Sequence, residues 1–240
     1  MGVFQFKRFD VDDTLCGMKV GTDGVLLGAW TRCSGYGRII DAGCGSGLIA
    51  LMMAQRNGKA LITAVDVSAE ACADARSNAD RSPWGGRISV ECRDLTTDPW
   101  PDLTPGPLLI ISNPPFFSET LHSPEQDRAL ARHGEGFDVI SLIRMSSRML
   151  SGSDDALAFV APWSRRDEIE FELSLCRMEM RRMCAVTTRE GREPSRILVE
   201  AGIQPPVPSG MEREELTLRD ASNILTPRYI RLTSEFYLDK

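Results

Sequence analysis

The sequence predicts an α/β fold built on a mostly parallel seven-stranded sheet with helices on both faces. Three observations carry that expectation. Short runs rich in β-formers alternate with longer runs of helical period, the pattern of a parallel sheet covered on both sides. A glycine-rich run, Asp41-Ala42-Gly43-Cys44-Gly45-Ser46-Gly47, stands between the first such strand and the helical run after it. With 240 residues, 42% hydrophobic and 26% charged, the chain is long enough to bury one substantial core.

In chain order, strands are expected at residues 37–42, 61–67, 87–92, 108–113, 156–161, 180–187 and 195–201. The third and sixth are polar enough to lie near an edge. Helices are expected at 48–56, 69–81, 138–150 and 165–176. Ser68 is a good N-cap for the second helix, with Glu70 well placed in its first turn. The stretch 97–107 holds four prolines and reads as a loop. Residues 113–136 have no strong apolar period; a loop of about twenty residues in a compact domain usually serves function. A second proline-rich break at 205–210 precedes a strand-like piece at 215–219 and a helix-like tail at 226–238. The tail spaces Tyr229, Leu232, Phe236 and Tyr237 for packing on the domain.

The composition excludes several classes. No apolar run approaches the length of a membrane span. The first residues carry charge without the apolar stretch of a secretory signal, and Met1-Gly2 lacks the downstream Ser/Thr of a myristoylation site. Seven cysteines without a Cys-x-x-Cys pair read as reduced thiols of a cytoplasmic protein. With only His122 and His133, no metal site is expected. The formal charge of −6 does not advertise a nucleic-acid binder, so any phosphate contact must come from local clusters. These are Arg128 with Arg132 and His133, Arg165-Arg166, Arg181-Arg182, and Arg189, Arg192 and Arg196. For most of them a solvated face is the simpler reading.

Gly43, Gly45 and Gly47 follow a strand and open a helix, which lets a ligand approach bare backbone. A dinucleotide site wants Gly-x-Gly-x-x-Gly. Leu48 occupies the position that pattern needs, and Asp41 ahead of the loop repels phosphate. Asp41 instead suits the cationic amino-acid end of S-adenosylmethionine. Asp66, in Val65-Asp66-Val67, can accept both ribose hydroxyls. Asp94, before Leu95, is placed to accept from an adenine amine. The alternative for each acid is helix capping or turn formation.

Asn113-Pro114-Pro115-Phe116 lies just past the fourth strand, at the edge where open α/β sheets bind ligands. An exocyclic adenine nitrogen is a poor nucleophile because its lone pair is delocalised into the ring. The Asn113 side-chain oxygen and the Pro114 carbonyl can accept its two N–H groups and aim that lone pair at a methyl donor. Pro114 and Pro115 hold the turn pre-formed, and Phe116 can stack on the base. Asn113 also borders the cofactor.

These residues resemble the amino-methyltransferases among S-adenosylmethionine-dependent Rossmann-like enzymes. The run from Cys16 to Trp30 (CGMKVGTDGVLLGAW) goes further and resembles the bacterial tRNA (adenine-N6)-methyltransferases that modify a valine tRNA next to its anticodon. Ser82-Pro83-Trp84, Ala131-Arg132-His133 and Glu235-Phe236-Tyr237-Leu238 fit the same family. The likeness spans Phe6 to Leu238 and is loosest over 177–210.

The resemblance implies a Rossmann-like class I methyltransferase fold, with S-adenosyl-L-methionine as cofactor and tRNA as substrate. It implies cofactor contacts from Lys19, Gly21, Thr22, Asp41, Gly43, Gly45, Gly47, Asp66, Val67, Asp94, Leu95 and Asn113. Asn113, Pro114, Pro115 and Phe116 would act on the base, and Phe116, Arg128, Arg132 and His133 would bind substrate. Where tyrosine is also common the turn has Phe116, which keeps the stacking and drops the hydroxyl. One domain is expected over 1–240: a capping segment at 1–35, a core at 36–204 and a C-terminal extension at 205–240. Monomer and dimer are both open. The rival enzyme is a protein glutamine N5-methyltransferase, which shares the Asn-Pro-Pro-aromatic turn. It usually carries a helical N-terminal domain, for which the roughly 35 residues before the first strand leave no room. A non-catalytic RNA-binding module and a dehydrogenase fit less well.

Overall fold

The computed structural model describes residues 2–97, 106–116, 137–206 and 210–238. Two short strands, β1 (Val3–Gln5) and β2 (Asp10–Asp12), pair antiparallel ahead of the main sheet. Sequence reading missed this pair because three-residue strands carry too few positions for a period. Helix α1 (Thr22–Trp30) follows; its glycines, poor helix formers, hid it from a propensity reading.

The alternating core then runs β3 (Arg38–Ala42), α2 (Leu48–Arg56), β4 (Leu61–Asp66), α3 (Ala69–Arg81), β5 (Ile88–Cys92) and β6 (Leu108–Ser112). After the undescribed stretch come α4 (Val139–Met149), β7 (Ala156–Pro162), α5 (Arg166–Leu175), β8 (Met178–Arg189) and β9 (Arg196–Ile203). The chain closes with β10 (Glu212–Arg219) and α6 (Pro227–Thr233). The main sheet has eight strands in the order β10-β8-β9-β7-β6-β3-β4-β5. All run one way except β9, which is antiparallel to β7 and β8.

The expected class holds, with eight strands in place of seven. The addition is β10, expected only as a short piece at 215–219. Its Glu-Arg-Glu-Glu start conceals a strand, and an edge position tolerates that charge. The polar third strand, β5, is indeed an edge, and the sixth, β8, is next to the other edge.

Strand alternation divides the core. Ile39, Ile62, Leu109 and Ile111 face one cluster with residues of α1 and α2, while Ile40, Leu108 and Ile110 face another with residues of α4 and α5. Helix α1 lies close on α2 at Gly28, where a Cβ would meet Met52 Sδ at 2.6 Å. Phe6 stacks on Phe9 and Tyr237, at centroid distances of 4.7 and 5.9 Å, and Phe9 meets Trp84 edge-on. That cluster fastens both ends of the chain to the core beside α3. The tail is helical only over Pro227–Thr233, started by Thr226, whose hydroxyl accepts from the Tyr229 amide. Among the described residues no helix is long and apolar enough to cross a membrane.

Candidate active site

The sheet register brings the two sequence motifs together. Asp41 of β3 pairs with Ile111 of β6, so two residues further on Gly43 and Asn113 emerge side by side at the carboxyl edge. On the other flank, the Val65 carbonyl of β4 accepts from the amides of Gly43 (2.8 Å) and Cys44 (2.9 Å), which brings Asp66 to the loop. The Ser112 hydroxyl donates to the Ala42 carbonyl at 2.6 Å and locks the two strand ends. Strand order reverses between β3 and β6, the switch point where such sheets form a ligand crevice.

Gly43, Gly45 and Gly47 all have positive φ (68°, 55° and 81°), which only glycine adopts without strain. Gly47 therefore cannot cap α2 with a side chain, and Asp41 caps it instead. Asp41 is fully buried, and its Oδ2 accepts the Ala50 amide at 2.9 Å. Its Oδ1 is buried with no hydrogen-bond partner among the described residues. Burial pushes the Asp41 pKa up to about 7, against the lowering effect of the Ala50 amide. Asp66, half-buried, accepts the Gly45 amide on Oδ2 and the Ser68 amide on Oδ1, each at 2.9 Å. Capping and turn formation, the alternative weighed for these acids, thus account for part of both side chains. Each Asp66 oxygen keeps a lone pair for a ligand hydroxyl.

Val67, next along, is 71% exposed, an apolar surface beside the acid. Asp94 lies past β5 and accepts the amide and hydroxyl of Thr96, while Leu95 is buried in the core. Cys44, inside the loop, is buried, and burial holds its thiol well above its ordinary pKa, so it fills space as a neutral group.

The segment before α1 folds over this edge. Two polar residues one turn apart on α3 hold it down, an i,i+4 pair on a buried face. Asp74 accepts the amides of Leu15 and Cys16, both at 2.8 Å. The Asn78 side-chain oxygen accepts the Asp12 amide, and its amide donates to the carbonyls of Asp12 and Ser46. Sequence reading missed both; the signal was polar side chains at 74 and 78 among Ala71, Ala75 and Ala79. Lys19 donates to the carbonyls of Asp13 and, at 3.0 Å, Cys16, so its ammonium closes its own loop. Gly21 precedes α1, Thr22 begins it, and both are exposed.

In the Asn-Pro-Pro-Phe turn, Pro114 is buried, while Asn113, Pro115 and Phe116 are half-buried. The Asn113 Nδ2 lies 3.9 Å from Met18 Sδ. Its Oδ1 is buried with no hydrogen-bond partner among the described residues. An unpaired buried amide oxygen costs about 1–3 kcal/mol, so it marks a place where a donor belongs. Arg196 packs on Phe116, its guanidinium carbon 5.0 Å from the ring centroid. Arg128, Arg132 and His133 lie outside the described residues. Of the other arginine groups, two members are committed elsewhere. Arg182, expected on a solvated face, is buried over Trp30 with Glu200 and Glu214, and Arg165 is paired with Asp138 and Glu168. Among the described residues no cluster of three His, Cys, Asp or Glu side chains could hold a metal ion.

The site therefore offers a glycine cradle, acids at two strand ends and an unpaired amide acceptor beside an aromatic ring. The buried oxygens of Asp41 and Asn113 that lack a partner among the described residues, with the bare backbone of the loop, fit a cationic ligand and an amine donor. The Methyltransferase small domain family matches residues 21–134. The chain is 40% identical to the tRNA1(Val) (adenine(37)-N6)-methyltransferase of Aeromonas hydrophila, over 98% of this chain and 97% of that one. It is 38% identical to the protein of the same name from Porphyromonas gingivalis, over 98% and 94%. Among solved structures it resembles an Agrobacterium tumefaciens protein described as a predicted O-methyltransferase, with TM-score 0.64, 23% identity and coverage of 89% and 96%. A Listeria monocytogenes protein assigned to the class I S-adenosylmethionine-dependent methyltransferases gives TM-score 0.54, 15% identity and coverage of 80% and 62%.

Proposed function

This chain belongs to the tRNA1(Val) (adenine(37)-N6)-methyltransferase family, and from that premise we propose that it methylates N6 of adenine 37 in a valine tRNA with S-adenosylmethionine. The observation that carries the chemistry is the buried, unpartnered Asn113 Oδ1 beside the glycine loop. When bound, S-adenosylmethionine supplies a cationic, electrophilic methyl group. The loop Gly43–Gly47 would lie against it, with Asp66 toward the ribose, Val67 and Leu95 toward the adenine, and Asp94 at the adenine amine. Asp41 would answer the ammonium, and Lys19, Gly21 and Thr22 would close over the methionine end.

Asn113 Oδ1 accepts one N–H of the target amine and the Pro114 carbonyl accepts the other. Both acceptors are held before the substrate arrives, which spares the reaction their reorganisation. The amine nitrogen is drawn toward a tetrahedral shape, and its lone pair points at the donor. Phe116 holds the base flat. After transfer the surplus proton leaves from nitrogen through the same acceptors to water, so no strong base is needed.

In this reading residues 1–35 cap the site, 205–240 brace the core, and Arg128, Arg132 and His133 meet the tRNA. The enzyme works in the cytoplasm, where its substrate is. The test is transfer of labelled methyl to an unmodified valine tRNA transcript, followed by nucleoside separation. N6-methyladenosine that disappears when adenine 37 is replaced is the expected result. Label confined to a glutamine of a protein would overturn it in favour of the protein methyltransferase reading.

A further inference from the structure

Arg196 opens β9 directly against the Asn-Pro-Pro-Phe turn. Its guanidinium sits over the Phe116 ring, with the central carbon 5.0 Å from the centroid. Its Nε donates to Asp23 Oδ2 at 2.8 Å, and its Nη1 donates to the Ser195 carbonyl at 3.0 Å. Asp23 stands in the first turn of α1, at the end of the segment that folds over the site. One side chain thus joins the capping segment, the far half of the sheet and the aromatic ring of the turn.

An arginine built to grip phosphate turns its fork outward. Here Nε is engaged by a carboxylate and Nη1 by a main-chain carbonyl, and the side chain is only 33% exposed. Those bonds hold the flat cation against the ring. Phenylalanine has no hydroxyl with which to fix its own orientation, so contact on its faces decides where the ring points. A cation on one face of an aromatic ring is attractive in itself, and more so when partly removed from water. The opposite face is the one a planar ligand would meet.

We propose that Arg196, anchored by Asp23, is the positioning residue for Phe116, holding the ring so that the face turned from the guanidinium receives the target base. This rests on the reading that Phe116 carries the adenine. The stack runs guanidinium, ring, base, and Arg196 touches neither cofactor nor RNA. Losing it frees the Phe116 side chain to leave its rotamer, which weakens base binding before and during transfer alike. The signature of such uniform binding is a raised KM with kcat nearly kept.

The experiment measures methyl transfer to valine tRNA transcript by wild type, Arg196→Ala, Arg196→Lys, Asp23→Asn, Phe116→Ala and the Arg196→Ala/Phe116→Ala double variant. Each is also titrated with S-adenosylhomocysteine. Arg196→Ala is expected to raise the tRNA KM by roughly threefold to thirtyfold, the range of a partly buried cation–ring contact. Cofactor affinity should stay as in wild type, and Arg196→Lys should recover part of the loss. In the Phe116→Ala background, Arg196→Ala should add nothing. Asp23→Asn should raise KM in the same direction, which keeps the proposal testable if Arg196→Ala folds poorly. Independent, additive penalties would overturn it, as would a salt slope lowered by about one unit in Arg196→Ala, the mark of a lost phosphate contact. An unchanged KM in both Arg196→Ala and Asp23→Asn, with an active wild type, would sink this inference alone. A wild type that never methylates tRNA adenine would sink the underlying reading and this inference with it.

Discussion

The Ala50 amide donates to Asp41 at 2.9 Å, so a carboxylate on β3, beneath the glycine loop, caps the helix that follows that loop. The second oxygen of the same carboxylate is buried and unpaired among the described residues, and burial raises its pKa from 3.8 to about 7. A folded pKa above the unfolded one means the native state holds the extra proton between those values. Its contribution to stability is whole below about pH 4 and is lost as pH rises to about 7. The free protein should therefore lose thermal stability across that window, and Asp41→Asn should remove much of the slope.

Ligand binding should run the other way. An ammonium placed at Asp41 favours the ionised carboxylate, so binding of S-adenosylhomocysteine should release a proton below pH 7 and tighten as pH rises toward 8. Calorimetry in buffers of different ionisation enthalpy reads that proton directly. Affinity independent of pH in the wild type, or an unaltered profile in Asp41→Asn, would contradict the role given to Asp41.

Asp74 on α3 holds the segment before α1 through the buried amide of Cys16 and the neighbouring amide of Leu15. Hydrogen bonds to a charged group contribute about 1.5–3 kcal/mol each. Asp74→Ala should leave the sheet intact while releasing residues 13–20. Hydrogen exchange at Leu15 and Cys16 should then speed up, and S-adenosylhomocysteine should bind several-fold more weakly. Unchanged protection at those two amides would show that other contacts hold the segment.

Arg182 lies 3.9 Å over Trp30 and within 2.6 Å of Glu214 and 3.2 Å of Glu200. Taking away Arg182 leaves Glu214 with Arg228 and the Trp30 indole, and leaves Glu200 with the Arg32 amide. The loss therefore falls below that of a fully broken buried pair, about 3–5 kcal/mol. Arg182→Met should lower the denaturant midpoint sharply. Arg182→Met with Glu200→Gln and Glu214→Gln should recover part of that loss, because the charges that Arg182 balanced are then gone as well. A triple variant no more stable than the single one would refute the network account.

What the sequence made legible follows how local each signal is. The glycine loop, the Ser68 cap and the Asn-Pro-Pro-Phe turn are read from neighbours in the chain, and the alternating core was legible for the same reason. The α2 and α3 spans match the bounds expected from period and caps. Arg181-Arg182 reads as surface charge, because nothing nearby in sequence announces Trp30 or the glutamates that bury it. A bulge between Met180 and Arg182 sets the register there, and no composition rule locates it. Asp74 and Asn78 were hidden in the same way, since their partners lie about sixty residues earlier. Conversely, Asp41 and Asp66 read as ligand contacts, and the structure adds architectural duties that compete for the same oxygens.

In the proposed reaction the chemical step turns on Asn113. Its Oδ1 is buried without a partner among the described residues and emerges beside Gly43, in a turn where Pro114 and Pro115 each fix φ. Asn113→Ala removes the acceptor just beyond the strand end that the Ser112 hydroxyl ties to Ala42. The variant should fold, bind S-adenosylhomocysteine as wild type does, and lose single-turnover transfer by a factor of about 10²–10³, the effect of deleting one preorganised polar group. Asn113→Asp is the sharper probe. It keeps an acceptor of the same reach but places a charge beside the cationic donor. That charge stabilises the bound donor more than the transition state, in which the positive charge is spreading onto the amine. Asn113→Asp should therefore bind cofactor at least as well as wild type while transferring methyl more slowly. Phe116→Ala should instead act mainly on tRNA KM, since stacking operates before the transition state as well as within it. If Asn113→Ala transferred methyl at the wild-type rate, the orphaned oxygen would have no part in the reaction.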